Sequence, residues 1–157
     1  MQTARRMVDS RTMASTPVAV VDALNALLEA EQGSVFRFMG EGSPYLSRAT
    51  ADVRRPLQEM VDSNRRYVMA LAEMIQRLGG EPVPRQVRPE EQYLAFLSLK
   101  FLLPKLAEAK RTTIERYENA LRALKGAPAE MFGVLEGQLG EHREDLAALD
   151  AAAAAAR

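Results

Sequence analysis

The sequence predicts an all-α fold, a four-helix bundle built from two antiparallel helical hairpins joined by a long crossover. Three observations carry that expectation. Four long segments repeat apolar residues at alternating three- and four-residue spacing, and no segment alternates as a strand would. Of the three connections, two are short enough for tight hairpins and the middle one is far longer.

The 157-residue chain divides into an expected flexible N-terminal leader over residues 1–15, a bundle over 16–150 and an Ala-rich tail over 151–157. The leader holds Arg5, Arg6 and Arg11 against Asp9 and develops no apolar face, as in disordered segments. Ser15-Thr16-Pro17 opens the first helix, a capping residue followed by proline at the first helical position. That helix is expected to reach about Met39, before a loop over Gly40–Leu46. The second runs from about Ser47 to Leu78, ended by Gly79-Gly80 and then Pro82 and Pro84, with Pro56 marking a kink or its first turn.

Pro104 interrupts an apolar stretch, so the third helix is placed from Leu103 to Lys125 with the proline in its first turn. Residues 79–102 then form the crossover, with a short helix expected over Glu90–Phe101. The fourth runs from about Pro128 to Leu149 and is expected to fray into Ala151–Ala156, which have nothing to pack against.

Composition removes several kinds of function. The 21 basic and 21 acidic side chains cancel, against nucleic-acid binding by bulk charge and against a polybasic membrane anchor. With no Cys, disulfides, Cys-ligated zinc, iron–sulfur clusters and thiol catalysis are excluded; the single His142 excludes sites needing two imidazoles from one chain. No apolar run approaches a membrane span of about 20 residues.

The four stripes carry a further pattern. They read Val21, Leu24, Leu28, Glu31, Val35, Phe38; then Val53, Leu57, Met60, Asn64, Tyr67, Leu71, Met74, Leu78. The third reads Leu103, Leu106, Lys110, Thr113, Tyr117, Ala120, Leu124, and the fourth Phe132, Leu135, Leu139, His142, Leu146, Leu149. Each is broken mid-helix by a residue an apolar core refuses. With Pro17, Leu78, Lys125 and Pro128 at one pole, Glu31, Asn64 and His142 lie 14 residues from it and Lys110 lies 15. At ~1.5 Å per residue all four sit about 21 Å from that pole, in one polar layer.

Several runs resemble a family. Leu24-Asn25-Ala26-Leu27-Leu28-Glu29-Ala30-Glu31 resembles the first helix of bacterioferritin-type proteins. The run from Leu71 to Pro82 resembles the end of the second helix in bacterioferritin- and rubrerythrin-like chains, and Glu141-His142-Arg143-Glu144-Asp145-Leu146 fits the fourth. The resemblance implies the ferritin-like superfamily and its di-iron site, one Glu from each of two helices and a Glu-x-x-His from each of the others.

Carried over residue by residue, the ligand positions fall on Glu31, Asn64, Tyr67, Lys110, Leu139 and His142, of which only Glu31 and His142 match. We therefore expect no metal or other cofactor. A buried Glu31–Lys110 ion pair is expected to replace the metals, with hydrogen bonds from Asn64, Tyr67 and His142, in a layer neutral without them. Glu59, Asp62, Glu73, Glu108 and Glu136 fall outside the stripes and are expected to face outward. The expected function is a degenerate, cytoplasmic ferritin-like protein with a structural or interaction role. Its expected partners are copies of itself or another protein, with no nucleic acid and no membrane span. The alternative is an iron-binding oxidoreductase, oxidising Fe(II) or reducing peroxide at an atypical site.

Overall fold

The computed structural model describes residues 17–39, 51–85 and 98–156. Five helices make up most of them: α1 (Pro17–Gln32), α2 (Val35–Met39), α3 (Ala51–Arg77), α4 (Leu99–Ala123) and α5 (Ala129–Ala155). The leader, the Gly40–Leu46 loop, the expected start of the second helix at Ser47 and residues 90–97 of the expected crossover helix lie outside the described residues.

α1 packs on α3 and α4, and α5 packs on the same two helices, closing a four-cornered bundle. Two apolar clusters fill it. One gathers Val20, Leu24, Leu71, Ile75, Leu124 and Met131 near the pole where α1 and α5 begin and α3 and α4 end. The other gathers Phe36, Leu57, Leu103, Leu106 and Leu149 at the opposite pole. Every helix therefore runs antiparallel to both of its neighbours, as two hairpins joined by a lengthwise crossover require.

The helix ends differ from expectation in three places. The first helix breaks: the Gly33 N–H still reaches the Glu29 carbonyl at 2.9 Å, but the Ser34 N–H turns to Glu31 at 3.2 Å. The Ser34 hydroxyl oxygen then accepts from the Phe36 N–H at 3.3 Å, starting α2. The apolar stripe runs straight through this break, which hides it in the sequence. α4 begins at Leu99 instead of Leu103, because Pro104 points to solvent and costs one backbone bond while Leu102 and Leu103 bury fully. α5 does not fray before the alanine tail, since Ala152 and Ala153 pack against the second cluster and the helix continues to Ala155.

α3 ends as its glycines predict: Gly79 takes φ +77°, and the Gly80 N–H closes on the Ile75 carbonyl at 3.0 Å. The crossover then turns back along α1. The Val83 N–H donates to the Asn25 side chain at 2.9 Å and the Arg85 N–H to the Gln32 side chain at 2.9 Å. At Gly33 the chain leaves room for the crossover, since a Cβ there would fall 1.2 Å from the Arg85 guanidinium Nη1, which would have to move aside.

Candidate functional site

Between the two apolar clusters lies a layer of polar side chains, at the height the sequence spacing predicts. Glu31 is 1 % exposed, Asn64 3 %, Lys110 3 % and His142 1 %, so every polar atom among them needs a partner from the protein. The outward expectation also holds: Glu59, Asp62, Glu73, Glu108 and Glu136 are all exposed.

Glu31 is the hub. Its Oε1 accepts from His142 Nε2 at 2.6 Å and from the Tyr117 hydroxyl at 2.9 Å. Its Oε2 accepts from Asn64 Nδ2 at 2.8 Å, and the same amide nitrogen reaches the Glu31 backbone carbonyl at 3.0 Å. At the break that carbonyl accepts from both the Ser34 N–H and Asn64. The Tyr117 oxygen also lies 3.0 Å from the Gln138 side-chain oxygen. A phenol has one hydrogen, so with it on Glu31 an end-for-end turn of the Gln138 amide supplies the second donor. Asn64 Oδ1 stays buried without a partner among the described residues.

Lys110 lies on the other side of the imidazole. Its Nζ is 2.9 Å from His142 Nδ1, 2.8 Å from Asp145 Oδ2 and 4.6 Å from the centre of the Phe36 ring. An ammonium donating to Nδ1 leaves the ring proton on Nε2, where it points at Glu31. Two donors cannot face each other at 2.9 Å, so Lys110 and His142 hold one positive charge between them. The result is a chain running Asp145, Lys110, His142, Glu31, Tyr117.

That chain corrects two expectations. Glu31 and Lys110 do not pair directly; the imidazole is wedged between them, so Lys110 pairs with Asp145 and His142 hydrogen-bonds Glu31. The layer is also not closed by one carboxylate and one ammonium, because Asp145 brings a second carboxylate, 22 % exposed at its side chain and so partly solvated. Tyr67 does not reach Glu31 either. Its hydroxyl donates to Glu141, which also lies 3.7 Å from Arg66, and its ring stands 4.9 Å from the His142 ring. Leu139 is apolar core.

The titrating groups follow from these contacts. Burial alone raises the Glu31 carboxyl, but the His142 hydrogen bond, the positive charge shared by His142 and Lys110, and the Tyr117 hydroxyl together hold it below its ordinary 4.5. Burial pushes the Tyr117 phenol well above its usual 10, and the charge and hydrogen bond of Glu31 push it further. Burial, then the Glu141 hydrogen bond and the Glu141 and Asp145 charges, raise Tyr67 likewise, against a smaller lowering by Ser63.

This donor set does not fit a di-iron centre. Two ferrous ions bring four positive charges, which a site of low dielectric must neutralise with carboxylates. Here the nitrogen of Asn64 faces the carboxylate, Tyr67 is held as a neutral phenol, Leu139 offers no donor, and an ammonium covers one imidazole nitrogen. Among the described residues no three His, Asp or Glu side chains are grouped as a metal ion needs.

No family model matches the chain, and no curated protein does. Solved structures do. A ferritin-like diiron-carboxylate protein from Bacillus anthracis superposes with a TM-score of 0.68 at 18% identity, covering 87% of this chain and 96% of that one. A dodecameric thioferritin, the bacterioferritin-related protein from Bacteroides fragilis, gives 0.69 at 22% identity, covering 87% and 85%. At such identities the likeness speaks to the fold, and it agrees with the helix order, the antiparallel corners and the lengthwise crossover. The chain has the ferritin-like fold.

Proposed function

We propose that this protein is a ferritin-like bundle in which a hydrogen-bonded chain of charges stands where the fold's metals would be bound, and that its role is structural or interactive instead of catalytic. One observation carries the reading: the Lys110 ammonium, 2.9 Å from His142 Nδ1, supplies inside the bundle the positive charge that a metal would bring. Asn64 and Tyr117 complete the acceptor demand of Glu31 without a cation. A cytoplasmic location and self-association belong to the same proposal. The dodecameric assembly of the Bacteroides fragilis neighbour supports self-association, and no described helix is long and apolar enough to cross a membrane.

The test is metal content by mass spectrometry, on protein purified without chelator and again after anaerobic Fe(II) loading. The expected result is well under one iron per chain in both samples. One or more irons per chain, lost in Glu31→Gln or His142→Gln, would overturn the proposal and put an iron-dependent oxidoreductase in its place. Light scattering on the same preparation reads the assembly state, and a monomer at micromolar concentration would remove the self-association part.

A further inference from the structure

Outside the polar layer, the seam between α1 and α4 opens into a cavity of about 300 Å³ beside the break after Gln32. Among the described residues its walls carry three cationic side chains, Arg85 from the crossover and Lys105 and Arg116 from α4, against one carboxylate, Glu29. This concentration is unusual in a chain whose charges cancel overall. Arg55, Arg77, Arg111 and Arg143 each lie within 3.0 Å of a carboxylate. Lys105 and Arg116 make no hydrogen bond or ion pair to a described residue, although Glu29 lines the same cavity.

The hydroxyl groups point the same way. Ser34 spends its oxygen lone pair on the Phe36 N–H and keeps its hydrogen to donate. Thr112, also on the wall, uses its hydroxyl for no described partner. Lys105 and Arg116 share one face of α4, eleven residues and about 16 Å apart at the backbone. The cavity is therefore long, cationic at both ends, and floored by Ala30 and Ala109 between them. Its size lies at the lower limit of small-molecule sites.

We propose that this groove binds a phosphorylated small molecule with anionic groups at both ends. A net charge of about +2 on the walls suits phosphate dianions. Guanidinium groups meet two phosphate oxygens at once, and the hydroxyls supply neutral donors to the rest. Gly33 serves the site by leaving room for the Arg85 guanidinium on the α1 side. The site is distinct from the polar layer and does not depend on the proposal made for it.

Isothermal titration of the full chain with inorganic phosphate, pyrophosphate, a hexose bisphosphate and citrate at matched ionic strength tests the proposal. The hexose bisphosphate is expected to bind most tightly and phosphate most weakly. Lys105→Gln and Arg116→Gln, both at exposed positions, are expected to weaken it at least about tenfold each. Gly33→Ala, which forces only the mobile end of Arg85 to move, is expected to weaken it as well while circular dichroism stays unchanged. Arg143→Gln, whose guanidinium pairs with Glu118 away from the groove, should bind like the parent. Absence of any heat at millimolar pyrophosphate and bisphosphate, unchanged binding in the Lys105 and Arg116 variants, or tighter binding of citrate than of every phosphate would each overturn it.

Discussion

The wedge of His142 between Glu31 and Lys110 can be weighed by a double-mutant cycle with Glu31→Gln and Lys110→Met. Glu31→Gln converts a carboxylate with three side-chain donors into an amide whose own N–H₂ must face one of them. Breaking a buried charge pair from one side costs about 3–5 kcal/mol, and this site belongs at the upper end because Glu31 is fully buried. Lys110→Met removes the bonds to His142 and Asp145 and the contact with Phe36, but Asp145 can turn to solvent, so about 3 kcal/mol is expected. The coupling between the two separates a direct pair from a relayed one. Across the imidazole the two charges stand roughly 7 Å apart, which at an effective dielectric of about 20 gives about 2 kcal/mol. Urea unfolding followed by circular dichroism, with equal slopes for the four proteins, supplies the energies. A coupling of about 4 kcal/mol or more would mean that the carboxylate and ammonium touch, and one near zero would mean that the layer does not act as a unit.

Three further outcomes follow from the same geometry. Because Glu31 is held below 4.5 in the folded state, its contribution to stability is complete above about pH 4.5 and is lost as the pH falls through its lowered value. Urea midpoints between pH 7 and 3 should therefore fall on the acid side, and less steeply in Glu31→Gln; equal slopes would argue against an ionised, bonded carboxylate. The raised phenols of Tyr67 and Tyr117 act in the opposite direction, their stabilisation being complete below pH 10 and lost above it. Absorbance at 295 nm should show at least two of the four tyrosines ionising only as the bundle unfolds, and four phenols titrating near pH 10 in folded protein would contradict the buried contacts. Finally, Gly133, Gly137 and Gly140 interrupt α5 at places where an added Cβ meets nothing within 4 Å. Gly137→Ala should raise stability by about 0.5–1 kcal/mol, and a loss of stability would reveal a neighbour there.

Much of the bundle was legible in the sequence because burial repeats at helical spacing. Leu24, Leu28, Leu57, Leu71, Leu106 and Leu135 sit in the two clusters, and counting residues from one pole placed Glu31, Asn64, Lys110 and His142 at one height. Their pairing was not legible. Spacing gives height and face but not which atom meets which, and nothing in it tells that the two nitrogens of His142 join the charges. Asp145 lies three residues after His142, next to it on the helix surface, and its side chain leans back toward the start of α5. That lean brings it to Lys110, although its position off the stripe reads as exposed. Gln138 had the same disguise one turn earlier. Tyr117 was on the stripe, yet an aromatic residue at helical spacing gives no sign that its hydroxyl serves a carboxylate. The break at Gly33-Ser34 was not legible, because the apolar pattern continues beyond it through Val35.

The polar layer has a consequence for how α5 can sit. The inner face of this helix carries a leucine at nearly every turn, Leu135, Leu139, Leu146 and Leu149, so a lengthwise slide by a turn would set leucine where leucine had been at little cost in packing. A slide of one turn, about 5.4 Å, would carry His142 away from both Glu31 and Lys110 and leave each buried among leucines without its partner. One histidine thus acts as the notch of a key. It fixes the register of a helix whose leucines repeat turn by turn, a service for which uniform apolar packing has no substitute.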